Sequence, residues 1–211
     1  PIGEHKSAEV ALQACEIDFA HLAPTGVQLF EGDSRFKVGR WPELGYRWIG
    51  MNLEHPKLKD INVRQAIRYA IDVPSILAAA YMGMEDPEYT LVAPGLLGHW
   101  ADAPKYEHDV AKAKEYMEKA GVSELDLKIA TLDTAEYRPW AEIAQQNLKE
   151  IGINLQIDTI DETSFWSIGE GEQTKEIELF VCSYTMMPDP AWATMWFTCE
   201  QIGMWNWMSW C

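Results

Sequence analysis

The constraint that bears hardest on the fold is a double change of periodicity between residues 125 and 160. Leu125 to Leu132 alternates apolar and polar residues as a half-buried strand does; Ala135 to Ile151 has helical spacing and ends at Gly152; Asn154 to Ile160 returns to the strand pattern. This order is a βαβ unit, the building block of α/β folds. The apolar run Ile177 to Tyr184 supplies another strand, and Tyr46 to Leu53, Arg35 to Trp41 and Glu16 to Ala20 read as strands nearer the start. The predicted helices are Ser7 to Cys15, Val63 to Ile71, one beginning after Asp72 with Pro74 in its first turn and stopping near Gly83, and Val110 to Ala120. Asp60 to Asn62 is the capping region of the second of these; Asp109 caps and Gly121 ends the last. Short helices are expected around Thr163 to Ile168 and from Pro190 to Phe197. Prolines 87, 94 and 104 and glycines 95 and 98 make Asp86 to Lys105 an irregular connection of the kind that can line a cleft. The fold class is therefore α/β, a lobe with a mixed sheet flanked by helices.

Composition narrows the functions open to such a lobe. With 33 acids against 17 bases, the formal charge of −16 disfavours a nucleic-acid partner, which needs a clustered basic surface. No apolar run approaches the roughly 20 residues that span a bilayer. Pro1 to Lys6 has no apolar signal-peptide core, so the chain is expected either to be cytosolic or to have its leader outside this sequence. The four cysteines lack C-x-x-C spacing and the five histidines lack ligand spacing, so no metal and no cofactor is expected. Cys199 and Cys211 flank a tryptophan-rich loop, where a disulfide would close about a dozen residues and stabilise by roughly 3 kcal/mol; two free thiols is the other reading.

Several motifs in order then point to one family. Asn52 to Asp72, N-L-E-H-P-K-L-K-D-I-N-V-R-Q-A-I-R-Y-A-I-D, resembles the N-x-x-x-x-P-F-x-D-x-R-V-R-Q-A-I-x-Y-A-I-D segment of the solute-binding proteins of peptide/nickel-type (family 5) ABC importers. Ala11 to Asp18 is similar to A-L-x-A-G-E-I-D with Cys15 at the glycine position, Tyr106 to Lys114 to Y-D-P-E-K-A-K, Gln145 to Ile153 to Q-x-x-L-x-x-I-G-I, and Pro188-Asp189-Pro190 to D-Y-P-D-P. The resemblance implies a periplasmic-binding-protein-like lobe over residues 46–211, preceded by a crossover segment, 1–45, from an N-terminal lobe that lies outside this sequence, with the C-terminal part of the family fold also outside it. It implies no catalysis, a periplasmic or extracellular location with a lipid anchor compatible, a monomer, and two partners besides that lobe: a small-molecule solute and an ABC permease in the inner membrane. Peptide-binding relatives carry an aspartate three residues before the Asp of Asp-Pro, where it pairs with the ligand's amino group; here that position is Met186. A thioether cannot pair with an ammonium, so the expected cargo is an opine, an oligosaccharide or a cationic metabolite, with a peptide as the alternative. A glycoside hydrolase, the reading from another class, has only scattered acids in its favour.

In open α/β sheets ligands bind beyond the carboxyl ends of the strands. That rule selects Asp133, Tyr137 and Arg138 after one strand and Tyr184 and Met186 after another as ligand-binding candidates, with Asp133 or Thr134 equally suited to capping the following helix. Trp205, Asn206 and Trp207, in the loop between the two cysteines, could stack on a sugar or a cation. Trp192 and Trp196, four residues apart, could do the same or share a buried helix face.

Overall fold

The computed structural model describes residues 5–41, 44–185 and 187–211. Its elements in chain order are α1 (His5–Gln13), β1 (Gly45–Met51), α2 (Ile61–Ala70), α3 (Val73–Tyr81), α4 (Val110–Ala120), β2 (Leu125–Leu132), α5 (Arg138–Lys149), β3 (Ile153–Ile160), α6 (Glu162–Phe165), β4 (Leu179–Thr185) and α7 (Ala191–Thr194). The βαβ unit is β2–α5–β3, with β2 and β3 parallel from Leu125 opposite Ile153 to Leu132 opposite Ile160. β4 runs parallel to β2, and β1 closes the other side antiparallel to β4, giving the order β1-β4-β2-β3. The expected mixed sheet is thus present. Leu179 to Cys182 are all buried, as a strand covered on both faces requires.

Local chemistry sets the helical corner on one face. Asp60 caps α2 by accepting from Asn62 N at 2.8 Å, and Asp72 caps α3 by accepting from Ser75 N at 3.1 Å. The Asp72 amide in turn donates to Asn147 Oδ1 of α5 at 3.0 Å, pinning the corner to the βαβ helix. Asp109 and Gly121 bound α4 as predicted, Gly121 in the left-handed region at φ 68°. Val63, Ala66, Ile67 and Ala70 of α2 are buried in the same core as Trp140, Ala141, Ala144 and Leu148 of α5.

The other face is aromatic. Phe180 of β4 lies with its ring 5.3 Å from Trp207 and 6.2 Å from Trp48, and Trp48 lies 4.8 Å from Tyr184. Gly50 is required here, because a Cβ on it would sit 2.1 Å from the Phe180 ring. Behind Phe180, Asn52 is fully buried: its amide nitrogen donates to Thr174 O and Ile177 O, both at 2.9 Å, and its side-chain oxygen accepts from Glu54 N at 3.1 Å. Nearby, Glu178 takes Lys57 Nζ and Lys128 N, each at 2.7 Å. The Asn52 to Asp72 segment is therefore bolted to the amino end of β4, away from the strands' carboxyl ends.

Two sequence expectations for strands are corrected. Glu16 to Ala20 is not a strand: α1 stops at Gln13, Cys15 takes a positive φ of 58°, and Phe19 is 67% exposed. Arg35 to Trp41 forms no strand and pairs with none of the described ones; Arg35 lies in a turn and forms an ion pair with Asp33 at 2.7 Å. A strand needs a ladder partner for its backbone groups, and neither segment reaches one. Pro42 and Glu43 of the predicted turn lie outside the described residues. Ala8, Ala11, Val27 and Phe30 are buried but stand apart from the main core cluster.

The Cys199–Cys211 disulfide is present, closing a loop of 12-residue separation. Loss of the crosslink in a Cys199→Ser/Cys211→Ser variant of the intact protein should lower stability by about 3 kcal/mol on loop-entropy grounds. Urea unfolding with and without reductant measures it. An unchanged midpoint would show that the packing of the loop alone holds it.

Candidate functional site

The carboxyl ends of the three parallel strands, Leu132, Ile160 and Thr185, lie at one edge of the sheet together with the start of β1, since Gly45 pairs with Thr185. Of the acids emerging there, Asp161 is spent as the cap of α6, accepting from Thr163 N at 3.0 Å and Ser164 N at 3.1 Å. The Thr163 hydroxyl, with the Ser164 donors, brings its carboxyl down to about 2. Asp133 forms an ion pair with Arg138, and both side chains are 55% exposed. The capping alternative for Asp133 does not apply, because α5 begins at Arg138 rather than Ala135. Thr134 closes that turn, its Oγ1 accepting from Tyr137 N at 3.3 Å and its carbonyl from Arg138 N at 3.0 Å.

Beside that pair lies a cluster centred on Arg47. It stands opposite Ser183 in the β1–β4 ladder, on the sheet face that carries α3 and α5. Its guanidinium carbon is 5.3 Å from the centroid of the Tyr81 ring and 5.7 Å from that of Tyr137, and Nη2 is 2.9 Å from Glu136 Oε2. Tyr137 is buried, its hydroxyl 2.5 Å from Ser183 Oγ, and the Tyr81 hydroxyl accepts from Trp140 Nε1 at 3.2 Å. Burial pushes both phenols above the ordinary tyrosine range. Burial also works against the Arg47 charge, but Tyr81, Glu136 and Tyr137 more than offset it, so the cation persists. Arg47, Tyr81, Glu136 and Ser183 were not among the residues selected from sequence. The one available signal was a lone charged residue inside the otherwise uncharged strand Gly45–Met51.

The aromatic candidates sit on the opposite face and are mostly committed to packing. Tyr184 is buried with its hydroxyl donating to Trp205 O at 2.5 Å. Asn206 is fully buried, its amide nitrogen bonded to Thr198 O at 3.1 Å and Trp210 O at 2.8 Å. Trp207 is 1% exposed and donates to Met204 O at 2.8 Å. Tyr184, Asn206 and Trp207 are thus buried and engaged in hydrogen bonds within the lobe. Trp205 is half-buried; its ring lies 5.6 Å from Trp196 at 72°, and Trp196 lies 5.8 Å from Trp192 at 60°. Such tilted packing is how aromatic side chains fill a core. Met186 lies outside the described residues.

Among the described residues no group of three or more histidine, cysteine or acidic side chains could hold a metal ion, and no helix is long and apolar enough to cross a membrane. Cys182 is buried within β4, and burial pushes its thiol up to about 12, so it is neutral and unreactive at physiological pH.

A four-stranded mixed sheet flanked by helices, in this strand order, is the fold of a periplasmic-binding-protein lobe. The chain belongs to the bacterial extracellular solute-binding proteins of family 5, whose middle-region model matches residues 1–204. A candidate ABC transporter peptide-binding protein of Brucella ovis is 30% identical over 193 residues, covering 88% of this chain and 36% of the relative. The chain thus spans about a third of the length of the curated relatives it matches. The oligopeptide-binding protein AppA of Bacillus subtilis, solved with a nonapeptide, superposes with a TM-score of 0.85 at 23% identity, over 100% of this chain and 45% of that one. AgaA of A. tumefaciens R10, solved with agropinic acid, superposes with a TM-score of 0.74 at 20% identity, over 90% of this chain and 39% of that one.

Proposed function

We propose that this chain is part of the solute-binding component of an ABC importer, acting in the periplasm or at the outer cell surface. Residues 46–211 form one lobe, and residues 1–45 cross into it from the other. A small solute is captured between the lobes, contacts from both sides shift the population to the closed form, and that form is handed to the permease. The observation that carries this reading is the family match over nearly the whole chain. The exposed pair Asp133 and Arg138 at the carboxyl ends of the strands, with Tyr137 buried beside it, supports it, because that is where open α/β sheets hold ligands.

The favoured cargo is a solute other than an ordinary peptide, because Met186 stands where peptide-binding relatives carry the aspartate that meets a free amino group. The agropinic acid held by one structural neighbour keeps an opine among the candidates. A peptide is the second reading, favoured by the names of the Brucella relative and of the B. subtilis neighbour. Titrating the intact protein with agropinic acid, maltose, choline and trialanine, followed by tryptophan fluorescence, tests both. Binding of a non-peptide probe with indifference to trialanine is expected. Tight binding of trialanine alone would establish the peptide reading, and no response to any probe counts against solute capture.

A further inference from the structure

We propose that Arg47 is the anchor for a carboxylate group of the captured solute, with Tyr81 and Tyr137 as the walls that orient its guanidinium and Glu136 as its fixed counter-ion. This rests on the reading of the chain as a solute-binding lobe and deepens it by naming the chemical class of the cargo. Arg47 lies level with Ser183, close to the carboxyl end of β4, at the edge where such lobes hold ligands. Its side chain and that of Glu136 are each 28% exposed, so the pair is sheltered yet reachable. Glu136 takes one hydrogen of Nη2 and Nε is shut away from solvent, so the edge left to meet a solute carboxylate is the terminal one, formed by Nη1 and the second hydrogen of Nη2.

Two tyrosine rings and one carboxylate hold the guanidinium in place, and a pre-oriented planar fork is the geometry that reads a carboxylate through paired N–H donors. Arg138, the cation selected from sequence, is a poorer anchor: both arginines are paired with an acid, but Arg138 is 55% exposed against 28% for Arg47, and water screens its attraction for a further anion. A chain with a formal charge of −16 also repels anions at long range. An acidic lobe that takes up a carboxylate therefore needs a fixed local cation at the rim, whereas a neutral or cationic solute would gain nothing from one.

The test is calorimetric titration of the intact protein with agropinic acid and trialanine, each as the free acid and as the carboxamide, alongside maltose and choline. At least one free acid should bind, Arg47→Met should weaken it about 100-fold, and the matching carboxamide should bind wild type and variant alike. Arg47→Lys keeps the charge but loses the fork, and should weaken the acid about 10-fold; this variant decides the matter if Arg47→Met does not fold. An acid bound equally well by the variants, or binding confined to maltose or choline, would overturn the carboxylate assignment while leaving solute capture intact. Binding of none of the probes would overturn both.

Discussion

Replacing Asn52 with alanine is expected to destabilise the intact protein by roughly 3–5 kcal/mol, since it strands buried carbonyls that have no route to water. The Asn52 side chain is fully buried and serves three backbone groups at once, the Thr174 and Ile177 carbonyls and the Glu54 amide. Its own amide donates to Glu178 O at 2.9 Å, so the residue joins the end of β1 to the entry of β4. Each unsatisfied buried polar group costs about 1–3 kcal/mol, which sets the magnitude. Asn52→Asp keeps the shape but turns the donor into an acceptor facing two carbonyls, and should be at least as damaging. Urea unfolding, with amide exchange across Ile177 to Thr185, measures both variants. A loss below about 1 kcal/mol for Asn52→Ala would mean that water or a shifted backbone satisfies the carbonyls, and the clamp assignment would fall.

Truncating Trp207 to alanine should cost about 3–5 kcal/mol, as large-to-small changes at buried aromatic sites do. The indole is 1% exposed and lies 5.4 Å from the Phe165 ring, 5.3 Å from Phe180 and 6.2 Å from Trp166. Gly169 passes so close that a Cβ there would fall 2.0 Å from the indole nitrogen, so the surrounding backbone is shaped to this ring. Trp207→Phe retains most of the apolar area and loses only the bond to Met204 O, for an expected cost of about 1–2 kcal/mol. Trp210, 58% exposed in the same loop, is the control, and its alanine variant should stay within about 0.5 kcal/mol of wild type. Solute affinity lost in Trp207→Ala without loss of stability would reverse the assignment and place the ring in the binding surface.

Much of the architecture was legible because it is written in short-range chemistry. Asp60, Asp72 and Asp109 accept from amides two or three residues ahead, and Gly121 takes a backbone angle that other residues avoid. The βαβ unit was equally plain, because each strand buries a face that its own alternation marks. The pairing of Cys199 with Cys211 was readable for the same reason, with the two residues only 12 apart. Glu16 to Ala20 and Arg35 to Trp41 were misread because strand propensity is local while strand pairing is not. At the candidate site the Asp133–Arg138 pair lies within one turn of chain and could be anticipated. Arg47 could not, since Glu136 lies 89 residues away and the rings beside it come from α3 and from the loop before α5.

By itself the sequence determined the elements, their caps, the α/β class and the family, since these depend on hydrogen bonds and apolar spacing within a few residues of each position. Only the tertiary structure decided which of the polar and aromatic residues are buried and which are exposed. Burial and cross-strand partnership are settled between segments far apart in the chain, and so Tyr184, Asn206 and Trp207 became packing residues while Arg47, unremarked in its strand, came to the rim.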